Sequence, residues 1–186
     1  MLAKSPKTAR TPSALWMDLA LVAFLVGLDV MARIVPHHPG FLPVAASALF
    51  AGRMLRIPGL APVVPVAAMV LSALALGPDD WRISLIVTFA ISLPAVVGIL
   101  SRRWPSIAAT AAVMVPCSLA FFALSNFAVW AFSGMYSLDF AGLTQCYVAA
   151  LPFLQNTVAG DLFWTAVLFG GAWVIQNGAM LAGRAR

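Results

Sequence analysis

The chain has 186 residues, of which 62% are hydrophobic and only 9% are charged, and its mean hydropathy is +0.97. Because a soluble domain carries about 25% charged residues, this composition excludes that class and indicates an integral membrane protein. The formal net charge of +5 comes from cations scattered at helix ends, a distribution that gives no support to nucleic-acid binding.

Hydrophobic runs predict an all-α integral membrane protein with six transmembrane helices. A hydrocarbon core of about 30 Å requires about 20 apolar residues per helix, and the backbone polar groups inside it must be paired internally. The predicted spans cover residues 15–35, 41–55, 60–76, 83–100, 106–132 and 160–181. They form a single membrane domain, 15–183, with tails at 1–14 and 184–186. A short re-entrant or interfacial helix is expected between the fifth and sixth spans.

Basic residues predict the orientation of these spans. They precede the first span and follow the second, fourth and sixth: Lys4, Lys7, Arg10, Arg53, Arg56, Arg102, Arg103, Arg184 and Arg186. All of them lie on one side of a six-helix path, which leaves Arg33 and Arg82 on the other side. The positive-inside rule therefore places both termini in the cytoplasm.

Asp29 and Arg33 lie four residues apart on the first span, so their side chains share one face of the helix. An ionisable pair at membrane depth faces the bundle interior or an aqueous cavity, which makes both residues candidates for solute binding. The alternative is a structural ion pair that holds the first helix against a neighbouring helix.

His37 and His38 occupy a short loop between two prolines on the outer side. Adjacent side chains in an extended loop point in different directions, so we do not expect the two histidines to share one metal ion. Either the loop is a solvated turn with no functional role, or one of the two histidines reaches a bound solute. The sequence predicts no metal site and no cofactor.

The stretch 125–161 is too apolar for a solvated loop and too polar for a lipid-facing helix. Long connections are usually functional, and we expect residues 134–157 to cover a binding site as a lid. Candidate solute-binding side chains in this stretch are Asn126, Trp130, Tyr136, Cys146, Tyr147 and Asn156. Structural alternatives are an interfacial Trp130, a Cys146 buried as a small hydrophobe and a helix-capping Asn156.

Ala48 and Gly52 form a pair of small residues four positions apart, which permits the close approach of two helices. Such a pair either packs within the protein or forms a face on which a partner membrane protein docks.

Several blocks of the sequence resemble an uncharacterised family of small bacterial six-helix membrane proteins. They are RIVPHHPGFLPV at 33–44, ALFAG at 48–52, NFAVW at 126–130, CYVAALPF at 146–153 and NT at 156–157. More distantly, the architecture resembles the S components of energy-coupling-factor vitamin transporters. This resemblance implies a bacterial inner membrane, a solute held near the outer face and a transmembrane coupling subunit driven by ATPases. Since some similar proteins handle cobalamin, it also implies a corrinoid, whose cobalt would suit Cys146 with His37 or His38.

The sequence contains no GxSxG, P-loop, HExxH or GxGxxG motif, so an enzyme is not expected. We expect a protein that binds and translocates a small, vitamin-like solute, with the lipid bilayer, the solute and a coupling subunit as its partners. The alternatives are a non-transporting accessory subunit of a membrane complex and, third, a membrane enzyme that uses Cys146 as its nucleophile.

Overall fold

A computed structural model describes residues 12–36, 39–77, 79–103 and 106–184, which form an all-α bundle. The described helices are α1 (Pro12–Ile34), α2 (Val44–Met54), α3 (Val63–Leu76), α4 (Trp81–Leu100), α5 (Ile107–Phe132) and α6 (Phe140–Arg184), with a 3-10 turn at Pro58–Leu60. Five helical segments are long and apolar enough to cross a membrane, and the second of them, Pro58–Leu76, includes the 3-10 turn. Their length and composition indicate a multi-pass membrane protein.

The short helix α2 lies at the centre of the bundle. Its 11 residues measure about 16 Å, roughly half the thickness of a hydrocarbon core. Every residue from Val44 to Gly52 is buried, and α2 packs against α1, α3, α4, α5 and α6. The second span predicted at 41–55 is therefore shorter than expected, because the helix begins only after Pro43 and the two preceding residues belong to a connection.

Local sequence explains where several helices begin and end. The Asp80 side chain caps α4 by accepting a hydrogen bond from the backbone N–H of Arg82 at 2.8 Å. The Ser106 hydroxyl caps α5 by accepting from the N–H of Ala109 at 3.0 Å. These side chains satisfy N–H groups that have no partner within the helix. Helix α3 ends at Gly77, whose φ of 93° is accessible to glycine without steric cost.

Helix α6 is continuous over 45 residues and contains Pro152. The sequence predicts a short re-entrant or interfacial helix before this proline and a separate last span from residue 160, but the structure joins the two. A proline is tolerated inside a membrane helix when neighbouring helices support it, and the first part of α6 is held against α5 by the Tyr147 hydroxyl, which donates to the Ala123 carbonyl oxygen at 2.6 Å. At about 1.5 Å per residue α6 measures about 67 Å, more than twice the thickness of a hydrocarbon core.

Small residues bring α2 and α4 into backbone contact. A Cβ atom on Gly52 would lie 2.9 Å from the Cα atom of Gly98, and Ala48 is fully buried one turn earlier on α2. The structure thus places Ala48 and Gly52 inside the bundle and not on a lipid-facing surface. Of the two alternatives left by the sequence, packing within the protein describes this pair, and the predicted docking face is not exposed.

Two arginines bind the end of α2 to the end of α4. Arg102 donates hydrogen bonds to the carbonyl oxygens of Gly52 at 2.7 Å and Leu55 at 2.6 Å. The Nε atom of Arg53 donates to the Ser101 hydroxyl at 3.1 Å. Arg102 thereby pairs the Gly52 and Leu55 carbonyl groups at an end where helix carbonyls lack partners within the helix. These contacts define one end of the bundle, which we call the arginine end.

Candidate functional site

A cavity of about 310 Å³ lies between α4, α5, α6 and the connection before α2, in the half of the bundle away from the arginine end. This volume is at the lower end of the range for small-molecule sites. The cavity wall is mainly apolar and includes the rings of Phe121, Phe122 and Phe153. Its polar side chains are Arg33, Ser125, Asn126, Thr157 and Asp161. An apolar pocket with a few convergent polar groups is the usual form of a ligand site.

Arg33 stands at the end of α1 between two cavities. Its Nε atom donates a hydrogen bond to the fully buried Ser72 hydroxyl of α3 at 2.7 Å. The residue lines the cavity just described and also a second one of about 330 Å³, whose wall includes Asp79 and Trp81. Within the described part of the chain Arg33 forms no ion pair. Its guanidinium is therefore held in position by a neutral partner.

Asp29 is fully buried and separate from both cavities. Its Oδ1 atom accepts a hydrogen bond from the Ser47 hydroxyl of α2 at 2.7 Å, whereas Oδ2 has no hydrogen-bond partner among the described residues. Asp29 and Arg33 share a helix face, as predicted, but they do not form an ion pair across it. Each side chain instead bonds to a serine on a neighbouring helix, Asp29 to Ser47 on α2 and Arg33 to Ser72 on α3. The sequence alone does not identify these neighbouring helices.

Asp161 is a cavity residue that the sequence reasoning did not include among the binding side chains. Its Oδ2 atom accepts a hydrogen bond from the Ser118 hydroxyl of α5 at 2.6 Å, and the side chain is almost completely buried. The sequence predicts a span beginning at residue 160 and so puts Asp161 in a first turn. The missed signal is the four-residue spacing of Thr157, Asp161 and Thr165, which places three polar side chains on one face of an apolar helix.

Two other predicted binding residues serve instead as contacts between α5 and α6. Cys146 is buried, and its thiol donates to the Asn126 carbonyl oxygen at 3.5 Å. The Tyr147 ring packs edge-on against Phe122 with the ring centroids 5.7 Å apart. Neither side chain lines the cavity of about 310 Å³. Among the described residues, no group of three or more histidine, cysteine and acidic side chains is placed to hold a metal ion.

The remaining predicted residues lie away from the cavity. The Trp130 indole donates to the Ser137 carbonyl oxygen at 2.9 Å and so ties the end of α5 to the following connection. Tyr136 is half-buried within that connection, and Asn156 is exposed on α6. Residues 134–157, which the sequence predicts as a lid, belong to this connection and to the first turns of α6. His37 and His38 lie outside the described residues.

Two aspartates at helix starts carry perturbed carboxyl groups. Arg82 donates hydrogen bonds to the Asp80 carboxylate and forms an ion pair with it at 3.0 Å, which lowers the pKa of Asp80. Asp139 accepts from the backbone N–H of Gly142 at 2.7 Å and from the Ser137 hydroxyl at 2.9 Å. The backbone hydrogen bond is the larger cause that lowers the pKa of Asp139. Both carboxylates stabilise the start of a helix.

Comparisons with known proteins identify a family and nothing more specific. No curated protein and no solved structure matches the chain. A family model does match it, over residues 13–182, and this confirms the predicted likeness to an uncharacterised family. Because the match covers most of the chain, the protein belongs to a family of unknown function (DUF6580).

Proposed function

We propose that this protein binds a small solute inside the membrane and carries it across. The supporting observation is the cavity of about 310 Å³, whose mainly apolar wall contains Arg33, Asn126 and Asp161 as groups able to bond to a polar ligand. Burying polar groups in a membrane protein costs free energy, so their convergence at one cavity supports the proposal of a solute site.

The volume of the cavity limits the size of the solute. It is at the lower end of ligand sites, and a corrinoid macrocycle would enter only if the helices moved apart. Cys146, which the corrinoid hypothesis requires as a cobalt ligand, is turned toward the Asn126 backbone. The proposed solute is therefore a compact molecule, smaller than cobalamin.

The second cavity supplies a route to the site. It has about 330 Å³, contains Asp79, Trp81, Ser84 and Thr88 in its wall, and has Arg33 in common with the first cavity. In the proposed mechanism the solute enters between α3 and α4 and passes the Arg33 side chain to reach the first cavity. Release on the other side then requires α2 to separate from α4 or α6.

The proposed location is the bacterial inner membrane with both termini in the cytoplasm. The support is the charge pattern, together with the position of Arg53 and Arg102 at one end of the bundle. A transmembrane coupling subunit with ATPases is the proposed partner, following the resemblance to S components. Fusion of a reporter active only in the cytoplasm to residue 186 tests the orientation, and an inactive reporter would contradict it.

A cavity-filling substitution tests the binding function. Val87 lines the cavity from α4 and is only half-buried, so Val87→Phe fills the space with little effect on the core. Val96→Phe is the matched control, because Val96 is on the same helix and its side chain is 47% exposed. Mass spectrometry of the purified proteins, followed by calorimetry against vitamins and cofactors, measures the bound solute.

The expected result is a solute bound to the unsubstituted protein and to Val96→Phe, with binding lost in Val87→Phe. Equal binding by all three proteins would place the solute outside this cavity. The absence of any bound or binding molecule in the whole screen would overturn the proposed function.

A further inference from the structure

The side chains of the cavity wall that have unused hydrogen-bond donors or acceptors indicate which chemical groups the solute carries. Several polar side chains of the wall already bond to their own helix: Ser125 donates to the Phe122 carbonyl oxygen, Thr157 to that of Phe153, and the Asn126 amide nitrogen to that of Phe122. A hydroxyl that donates in this way has no further donor, although its oxygen can still accept, and the Asn126 amide nitrogen keeps one N–H.

Three unsatisfied groups remain within the described part of the cavity wall. The Arg33 guanidinium uses Nε for Ser72, which leaves its two terminal nitrogens as donors. The Asn126 side-chain oxygen accepts no hydrogen bond from the described residues. The Asp161 carboxyl group receives a hydrogen bond from Ser118 only at Oδ2. The cavity thus offers one cationic donor, Arg33, and one acidic acceptor, Asp161, beside the neutral amide of Asn126 and the oxygens of two hydroxyls.

The two ionisable side chains of this wall are not paired with each other. Neither Arg33 nor Asp161 takes part in an ion pair in the described residues, although both line the same cavity. In surroundings of low dielectric constant, each group gains strongly from a ligand group of opposite charge. Asp79 and Asp29 act on Arg33 only from beyond ion-pair distance. A ligand with only one charge would therefore leave the other side chain without a directly paired counter-charge.

We infer that the solute is a zwitterion of amino-acid size with an apolar side chain, whose carboxylate binds Arg33 and whose ammonium group binds Asp161 and Asn126. The aromatic rings of Phe121, Phe122 and Phe153 pack against its apolar part. This inference rests on the proposed function and narrows it to one chemical class.

Matched sets of ligands test the inference at neutral pH. One set is L-phenylalanine, 3-phenylpropionate and 2-phenylethylamine, and the other is L-leucine, 4-methylpentanoate and 3-methylbutylamine. Binding of the two radiolabelled amino acids to the purified protein is measured directly, and the analogues are measured as competitors. We expect at least one amino acid to bind about tenfold or more tightly than either of its singly charged analogues, since each analogue lacks one charge-assisted hydrogen bond.

Variants separate the two charges. Arg33→Gln is expected to weaken binding of the amino acid and the acid about tenfold while leaving the amine unchanged, and Arg33→Lys retains part of the affinity. Asp161→Asn is expected to weaken binding of the amino acid and the amine while leaving the acid unchanged. Arg103→Gln and Asp139→Asn are the controls, because neither residue lines the cavity. The unfolding temperature of every variant is measured beside the binding.

The inference is overturned if neither amino acid binds, or if a singly charged analogue binds as tightly as its amino acid in both sets. If a molecule of another class binds to the protein and Val87→Phe abolishes that binding, the proposed function is supported. Only the inference that the solute is a zwitterion is then wrong. If no molecule binds in either experiment, both proposals fail together.

Discussion

Gly98 of α4 and Gly52 of α2 are so close that a Cβ atom on Gly98 would lie 3.0 Å from the Cα atom of Gly52. The same atom would lie 2.5 Å from the Leu49 carbonyl oxygen. Because backbone atoms of two packed helices cannot move aside locally, Gly98→Ala is expected to separate α2 from α4 at a cost of about 1–3 kcal/mol. Thermal unfolding in detergent measures this loss.

The control for this substitution is Gly27→Ala, since no atom lies within 4 Å of a Cβ built on Gly27 in α1. Alanine is favoured over glycine in helices by up to about 1 kcal/mol, so this variant should be as stable as the unsubstituted protein or slightly more so. Equal unfolding temperatures for Gly98→Ala and Gly27→Ala would contradict the backbone contact.

Removal of the Ser47 hydroxyl should destabilise the protein through Asp29. The hydroxyl is the one hydrogen-bond donor to this buried carboxyl among the described residues. Ser47→Ala leaves the whole group unsatisfied, at an expected cost of about 1–3 kcal/mol in the free energy of unfolding. Ser92→Ala is the control, because the Ser92 hydroxyl bonds only to the Thr88 carbonyl oxygen of its own helix. A comparable loss of unfolding free energy in both variants would show that the hydrogen bond from Ser47 to Asp29 does not stabilise the protein.

Replacement of Arg102 should loosen the arginine end. Arg102→Met removes both donors to the Gly52 and Leu55 carbonyl oxygens, and the expected loss is about 1–3 kcal/mol because these hydrogen bonds carry a charged donor. Arg103→Met removes an equal charge from the adjacent position, where no hydrogen bond or ion pair is formed with the described residues. The same decrease in unfolding temperature for both variants would show that the loss of a positive charge, and not the loss of the two hydrogen bonds, destabilises the protein.

The Asp139 carboxylate should make the start of α6 sensitive to acid. Its pKa is lowered in the folded protein, mainly by the hydrogen bond from the Gly142 N–H. The stabilisation is therefore complete above the ordinary aspartate pKa of about 3.9 and is lost as the pH falls through the lower folded value. Asp139→Asn keeps a capping side chain without the titration. We expect its unfolding temperature to fall less than that of the unsubstituted protein between about pH 5 and pH 3, and parallel curves would exclude this role.

Buried thiols should resist labelling. Cys117 and Cys146 are 6% and 2% exposed, so maleimide is expected to label neither cysteine in the folded protein and both after denaturation. Ser137→Cys adds an exposed thiol as the positive control. Rapid labelling of Cys146 in the folded protein would contradict its burial and favour the alternative of a nucleophilic cysteine.

The sequence predicts the long spans well because hydrophobic runs and helix-ending residues are local signals. Arg33 and Asn126 could also be predicted at the site, since a polar side chain in an apolar helix is directed toward the bundle interior. The hydrogen-bond partners of buried polar groups could not be predicted from the sequence. Asp29 binds Ser47 and not Arg33 because α2 packs beside α1, a long-range contact that no local pattern contains.

The last part of the chain was harder to predict for a related reason. Pro152 reads locally as the end of a helix, yet α6 continues through it because the preceding turns pack on α5. This continuity moves Asp161 from an expected helix start to the cavity wall. Asp161 is therefore missing from the predicted binding residues, whereas Asn156, predicted as one of them, is exposed on α6.

The position of α2 has a consequence for how the protein is made. A helix of about 16 Å is too short to remain stably across a bilayer by itself, and the helices that cover α2 on two sides, α4 and α6, lie later in the chain. The ribosome therefore releases α2 when, of the five helices that pack on it, only α1 has been made. We expect α2 to reach its final position only after the synthesis of α4 and α6.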